Sequence, residues 1–194
     1  MHWLHEPRTW RTDGTAIIVQ AGAQTDFWRK THDSGVRDSG HVYYQKVTGD
    51  FTAQVKVIGQ YADLYDQAGL MVRLDETIWL KCGIEFVEGV QYASSVVTHD
   101  WSDWAIRPLD NPPAIWLRVV RHGGSIQVSF SIDGAHYDMI RQAYLTEEPT
   151  ISVGVMLAAP KGQGFTAQLD DGRTGHGATR VSAASAALTA EVLI

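Results

Sequence analysis

Residues 66–85, which read DQAGLMVRLDETIWLKCGIE, constrain the fold more than any other part of the chain. They predict two strands joined by a turn at Asp75 and Glu76, and side chains two apart on a strand share a face. One face is apolar and consists of Ala68, Leu70, Val72, Ile78, Leu80, Cys82 and Ile84. The other face consists of Gln67, Gly69, Met71, Arg73, Trp79, Lys81, Gly83 and Glu85. This division predicts a sheet with a hydrophobic core on one side and a polar binding surface on the other.

The rest of the chain repeats this local pattern. Short strand-like runs alternate with Gly, Asp and Asn turns, which is typical of an all-β sandwich. The Gly123-Gly124 pair supplies the positive φ of a tight hairpin turn, and Asp133-Gly134 closes the next strand in the same way. We therefore predict an all-β fold in which two antiparallel sheets pack face to face.

The chain of 194 residues is long enough for one domain with a substantial core. We expect the β-sandwich to span residues 1–172. Residues 173–194 form an Ala/Ser-rich C-terminal tail without strand alternation, and we expect it to be either flexible or a short helix.

Several ordered motifs carry a family resemblance. They are TDFW (25–28), GDF (49–51), DQAGLMVR (66–73), W-x-K-x-G-x-E (79–85), SVVT (95–98), SDW (102–104) and IWLRVVR (115–121). From about Trp10 to about Asp170 the chain resembles the DUF1349 family, which is similar to the fungal regulation-of-enolase proteins. The resemblance implies a concanavalin A-like jelly-roll sandwich, the fold of the lectin/glucanase superfamily.

Bulk properties argue against several classes of protein. The net charge of −6 does not resemble the basic footprint of a nucleic-acid binder. No apolar run approaches the ~20 residues that span a bilayer, and the first ten residues lack the pattern of a signal peptide. The single cysteine, Cys82, excludes an internal disulfide. We expect a cytoplasmic protein that binds neither nucleic acid nor membrane.

The polar face is the predicted ligand site, a groove for a small molecule or a glycan. Its expected ligand-binding residues are Trp28, Gln67, Arg73, Trp79, Lys81, Glu85, Trp104 and Arg118. Trp79 and Trp28 are expected to stack on the apolar face of a sugar ring, while the charged and amide side chains bind hydroxyl groups. The competing interpretation is an ion network on the sheet face, in which each cross-strand pair is worth about 0.2–1 kcal/mol.

The roles of the flanking residues are less sharply defined. Trp101 or Trp104 is expected to form a wall of the groove from a loop at its mouth; the alternative is a loop at the edge of the sandwich that is packed by its own indoles. Arg118 either adds a second cation or is solvated. Asp26 is expected to cap a turn, with Phe27 and Trp28 divided between the core and the groove rim.

Catalysis is the main alternative to binding. Glycoside hydrolysis needs two carboxylates about 5–10 Å apart. Residues 81, 83 and 85, which alternate along the polar face of one predicted strand, are Lys, Gly and Glu, so this face of the strand supplies one carboxylate. Glu85 is therefore the one candidate acid/base on this strand, and Asp66 or Asp103 are candidates for the second carboxylate. His99, Asp100 and Asp103 lack the spacing of a zinc or calcium site, so we predict no metal. The absence of phosphate-binding glycine motifs predicts no nucleotide cofactor.

The sequence thus favours a non-catalytic or regulatory binding module for a carbohydrate or related polar metabolite. The first alternative is a glycan-active enzyme that uses Glu85 as its acid/base. The second is a protein-interaction regulator of central metabolism, which the family resemblance implies. The oligomeric state does not follow from the sequence.

Overall fold

The computed structural model describes residues 1–170 and the short strand at 180–181, and this part of the chain is all-β. In chain order the strands are β1 (His2–Leu4), β2 (Thr9–Asp13), β3 (Ala16–Gln20), β4 (Phe27–Arg29), β5 (Val36–Asp38), β6 (His41–Thr48), β7 (Phe51–Gly59), β8 (Gln67–Arg73), β9 (Ile78–Val87), β10 (Val90–His99), β11 (Trp101–Pro108), β12 (Ile115–His122), β13 (Ser125–Ser131), β14 (Asp138–Tyr144), β15 (Thr150–Ala158), β16 (Thr166–Asp170) and β17 (Arg180–Val181). Over the described ranges, no helix is long and apolar enough to cross a bilayer.

Two large sheets form the sandwich. The front sheet has the strand order β1-β6-β15-β8-β9-β10-β11, and the back sheet has the order β14-β13-β12-β7-β16-β3-β2. All neighbours within these two orders pair antiparallel, while β17 adds to β7 in parallel. The predicted jelly-roll sandwich of two antiparallel sheets is confirmed.

The core lies between the sheets, on the faces that the alternation predicted. Leu70 pairs with Cys82 across β8 and β9, and Val72 pairs with Leu80, and all four side chains are at most 2 % exposed. They belong to one apolar cluster with residues of the back sheet such as Leu117. Each fully buried side chain of this kind contributes about 1.5–3 kcal/mol.

Two glycines create a gap on the outer face of the front sheet. Gly69 and Gly83 are paired across β8 and β9. A Cβ atom on Gly83 would lie 2.2 Å from the carbonyl oxygen of Ala68, so the backbone requires glycine there. Because neither residue has a side chain, the outer face has a bare patch beside Lys81 and Glu85.

Much of the remaining outer face is covered by a distant part of the chain. Residues 24–40, here called the covering segment, contain the small β4–β5 hairpin. Phe27 of this segment is fully buried and packs edge-on against Trp79, with ring centroids 6.3 Å apart. The second apolar cluster formed in this way contains Phe27, Val42, Met71, Trp79, Val96 and Met156. The front sheet therefore has apolar packing on both faces.

The predicted C-terminal tail falls mostly outside the described residues. Only Arg180 and Val181 of the stretch 173–194 are placed, opposite Thr52 and Ala53 of β7. The expected flexible or helical character of the tail stays a prediction.

Candidate binding cleft at Glu85

Lys81 lies in the middle of β9 and is almost completely buried. Its ammonium donates hydrogen bonds to the carbonyl oxygen of Phe27 at 2.7 Å and to Oε1 of Gln67 at 2.6 Å. The Asp26 carboxylate is 3.8 Å away, and the Lys81 side chain is 4 % exposed. A buried charge is tolerated only when it is paired and hydrogen-bonded, and the covering segment supplies much of that pairing.

Glu85 lies two positions beyond Gly83 on the same face of β9. Its Oε2 accepts hydrogen bonds from the hydroxyl of Ser94 at 2.7 Å and from the indole Nε1 of Trp104 at 2.8 Å. Among the described residues nothing donates to Oε1, and this oxygen keeps contact with solvent. The side chain thus combines a fixed oxygen with one that is open to a ligand.

The environment of Glu85 shifts the pKa of its carboxyl group upward. Burial raises the pKa of the carboxyl, while the positive charge of Lys81 and the hydrogen bonds from Ser94 and Trp104 oppose that rise. The nearby negative charge of Asp26 raises the pKa further. A raised pKa in a partly open depression is a common property of functional carboxyl groups.

Asp26 is the residue that sequence reasoning assigned only to a turn. Its Oδ1 accepts a hydrogen bond from the backbone N–H of Phe27 at 2.8 Å, and it is the anionic partner of Lys81. The covering segment therefore brings a second carboxylate to Lys81, and the charge of this carboxylate raises the pKa of Glu85. No signal in the local pattern identifies it, because the two residues are 59 positions apart in the chain.

The two carboxylates considered from the sequence lie elsewhere. Asp66 is fully buried and accepts hydrogen bonds from the backbone N–H groups of Ala62 and Asp63. Asp103 pairs with Arg141 at 2.9 Å. Neither carboxylate faces Glu85. Asp66 precedes Gln67 and Asp103 precedes Trp104, and successive side chains along a strand point to opposite faces.

The cleft at Glu85 is shallow. Its empty volume is about 160 Å³ including the open space above it, and it is lined by Gln67, Lys81, Cys82, Gly83, Ile84, Glu85, Ser94 and Met156. Trp104 stands at its edge, 39 % exposed, with its ring edge-on to Tyr65 at 6.2 Å. We call Asp26, Gln67, Lys81, Glu85, Ser94 and Trp104 the Glu85 cleft.

Trp104 reaches the cleft from a strand rather than from the expected loop. It lies on β11, paired with Val96 of β10, and Asp100 forms the turn between these two strands with a φ of 60°. The register also determines which side chains of β10 face the cleft, a point that the sequence left open. Ser94 faces the cleft, whereas Ser95 pairs with Cys82 on the core side.

The two tryptophans that were expected to stack on a ligand pack and donate hydrogen bonds within the protein instead. Trp79 is 1 % exposed, and its Nε1 donates to the carbonyl oxygen of Glu76 at 3.2 Å. Trp28 donates to the carbonyl oxygen of Thr31 at 2.7 Å and packs against the second apolar cluster. The expectation that Trp79 is open to a ligand is wrong, because Phe27 covers it.

The two arginines of the predicted site are also separate from the cleft. Arg73 binds Asp38 of the covering segment through two hydrogen bonds of 2.7 and 2.8 Å. Arg118 lies on the back sheet and stacks on the ring of Tyr137, 3.6 Å from its centroid. Of the eight predicted residues, the structure brings Gln67, Lys81, Glu85 and Trp104 together.

Polar contacts hold the covering segment within its span and at the residues that flank it. Arg29 and Lys30 pair with Asp100. Nε2 of His41 accepts a hydrogen bond from the backbone N–H of Gly22 at 2.9 Å, and burial lowers the pKa of His41 and favours its neutral form. The Glu85 cleft therefore has a fixed wall rather than an open flank.

His99, Asp100 and Asp103, the His and Asp residues of one sequence cluster, have separate partners. His99 contacts the carbonyl oxygen of Leu145 at 2.8 Å, Asp100 binds Arg29, and Asp103 binds Arg141. Within residues 1–170, no group of three or more His, Cys, Asp or Glu side chains is arranged to hold a metal ion.

Comparison with known families matches residues 3–176 to the model described as a protein of unknown function, DUF1349. The chain belongs to the DUF1349 family. It is 37 % identical over 164 residues to Regulation of enolase protein 1 of Saccharomyces cerevisiae, covering 84 % of this chain and 83 % of the yeast protein. The family resemblance inferred from the motifs is thereby confirmed.

Solved structures show the same fold. A crystal structure of a functionally unknown protein from Saccharomyces cerevisiae superposes with a TM-score of 0.84 at 36 % identity, covering 88 % of this chain and 92 % of that one. The GH43 protein BlXynB from Bacillus licheniformis gives 0.66 at 16 % identity over 85 % of this chain and 34 % of that one. The carbohydrate binding module CBM66 from Bacillus subtilis gives 0.55 at 10 % identity over 87 % and 95 %. At these low identities, the last two similarities concern the fold alone.

Proposed function

We propose that this DUF1349 protein is a binding module that holds a small hydroxyl-rich ligand, a carbohydrate or a related polar metabolite, in the Glu85 cleft. The observation that carries the proposal is the solvent-facing Oε1 of Glu85, which has no donor among the described residues while Oε2 is fixed by Ser94 and Trp104. A ligand hydroxyl is the natural donor to such an oxygen.

The surroundings of Glu85 suit a polar ring. Trp104 offers a partly exposed indole, whose flat face packs well against the apolar side of a sugar. Gly83 in the floor lets a ligand approach the backbone closely. The depression is too small to enclose a sugar ring, so the ligand would lie across its mouth and present a hydroxyl group to Glu85.

The comparisons support this class of function in general terms. One structural neighbour is named a carbohydrate binding module, and the yeast relative is named for regulation of enolase. That second name also supports the alternative of a protein-interaction regulator of central metabolism. The one cysteine, Cys82, is free and buried, which agrees with the cytoplasmic location that we propose.

Trp104→Ala is expected to weaken ligand binding about tenfold, because the indole supplies both packing area and the hydrogen bond to Glu85. Isothermal titration against a panel of mono- and oligosaccharides and sugar acids measures the change. Trp101→Ala is the matched control, since Trp101 lies on the same strand, is 58 % exposed and has the opposite parity. Equal losses in the two variants would contradict a ligand site at Trp104.

A second candidate function is glycan hydrolysis, which the presence of a second carboxylate, Asp26 beside Lys81, favours. Glu85, with its raised pKa, has the properties of a general acid, and Asp26 would be the second carboxylate. For an enzyme, Glu85→Gln should abolish turnover of aryl-glycosides and leave substrate binding nearly intact.

For a binding module, the wild type shows no turnover, and Glu85→Gln weakens binding only moderately because the amide keeps the shape and one acceptor. Asp26→Asn, assayed beside it with its thermal unfolding curve, separates a catalytic loss from a folding defect. If the wild type shows turnover and both variants lack it, the protein is a glycan hydrolase and the binding proposal is wrong.

A further inference from the structure

A second and larger cavity lies on the outer face of the front sheet, toward β6 and β1 and away from Glu85. Its empty volume, measured in the same way as that of the Glu85 cleft, is about 480 Å³. This figure includes the open space above the cavity, so the site is an open depression that covers one side of a small ligand rather than an enclosed pocket. The lining residues are Leu4, Val42, Tyr44, Lys46, Met71, Arg73, Leu74 and Ser152.

The strand register arranges the polar lining residues in one row. Ser152 of β15 pairs with Lys46 of β6 on one side and with Arg73 of β8 on the other. Adjacent strands lie about 4.8 Å apart, so two cationic side chains flank a nearly buried hydroxyl. Two residues further along β15, Gly154 lies between Tyr44 and Met71, where a Cβ atom would come within 2.1 Å of the carbonyl oxygen of Tyr43.

The charges of this cavity do not cancel. Asp38 binds the guanidinium of Arg73 with two hydrogen bonds. Lys46 has no ion-pair partner among the described residues. The lining residues and their direct partners therefore carry one net positive charge at neutral pH. The other walls are apolar, apart from the Tyr44 hydroxyl.

We propose that this cavity, here called the Lys46 site, binds a small organic monoanion, a carboxylate with an apolar body. The Lys46 ammonium and the Ser152 hydroxyl supply donors to the carboxylate oxygens. The ring of Tyr44 and the side chains of Leu4 and Leu74 contact the body of the ligand. The single uncompensated charge matches a monocarboxylate better than a phosphate dianion.

The test is an NMR titration of the full-length chain with benzoate and with benzamide, its neutral isostere. Benzoate is expected to shift the amide resonances of Tyr44, Lys46 and Ser152 in a saturable manner, and benzamide to bind several-fold more weakly. Lys46→Gln should weaken benzoate binding about fivefold, the upper range for an ion pair at an exposed position. Added salt should weaken binding to the wild type and have less effect on the variant.

Lys161→Gln is the matched control, because Lys161 is exposed and remote in the chain from the lining residues. Ser152→Ala, checked by its thermal unfolding curve, tests the second donor. Equal binding of benzoate and benzamide, or equal affinities of Lys46→Gln and Lys161→Gln, would overturn the proposal. Tighter binding of inorganic phosphate than of benzoate would overturn the monocarboxylate assignment. Trp104→Ala should leave benzoate binding unchanged, so the test of this site is independent of the test of the Glu85 cleft.

Discussion

Phe27→Ala is expected to lower the free energy of unfolding by about 3–5 kcal/mol, the range for removal of a fully buried phenylalanine ring. Phe27 is 0 % exposed although it lies in a short hairpin outside the two main sheets. Its loss leaves a cavity beside Trp79 in the second apolar cluster. Chemical denaturation with urea measures the change.

Val36→Ala provides the control for this experiment, since Val36 is on the same hairpin and 54 % exposed. A surface substitution of this kind normally changes stability by no more than about 0.5 kcal/mol. The Trp79 indole N–H should also exchange with solvent faster in Phe27→Ala than in Val36→Ala. A loss below about 1 kcal/mol in Phe27→Ala would show that the covering segment contributes little to the fold.

Lys81→Met is expected to cost about 3–5 kcal/mol, because breaking a buried charged network from one side leaves its partners unpaired. The Phe27 carbonyl and the Gln67 amide oxygen lose their donor, and Asp26 loses its cation. Methionine has nearly the length of lysine, so the loss reports mainly the ammonium group. Thermal and urea unfolding measure it.

Lys161→Met is the matched control, as Lys161 is exposed. The same substitution at Lys81 has a second consequence. The charge of Lys81 lowers the pKa of Glu85, so its removal should raise that pKa further. NMR titration of the Glu85 carboxyl tests the direction of the shift. A fall in the pKa, or stabilities equal to the control, would show that Lys81 is not coupled to the cleft.

The strands that flank the core were predictable because their burial follows a period of two. In β12, Leu117 and Val119 are buried and alternate with half-buried Trp116 and Arg118, which is the pattern in the sequence. The hairpin between β12 and β13 follows from Gly123, whose φ is 56°. These signals are local, so they do not depend on what the rest of the chain does.

The edge strands were harder to predict. Residues of β11, Trp101–Pro108, read as a loop in the sequence, and β14, Asp138–Tyr144, carried no strand signal. Each strand forms one end of a sheet and is mostly exposed, so its side chains have little reason to alternate between apolar and polar. Ion pairs such as Arg107 with Asp138 connect these two edges.

By itself, the sequence determined the all-β sandwich, the core face of β8 and β9 and the position of Glu85 on the opposite face. Alternation along a strand is a local property, and it sorts side chains to two faces whatever the topology. It does not determine what covers those faces. Only the tertiary structure placed Phe27 over Trp79 and Asp26 beside Lys81. It also gave Lys81 and Arg73 hydrogen-bond partners within the protein. Those contacts join residues far apart in the chain, and they depend on the path of the covering segment, which no local periodicity encodes.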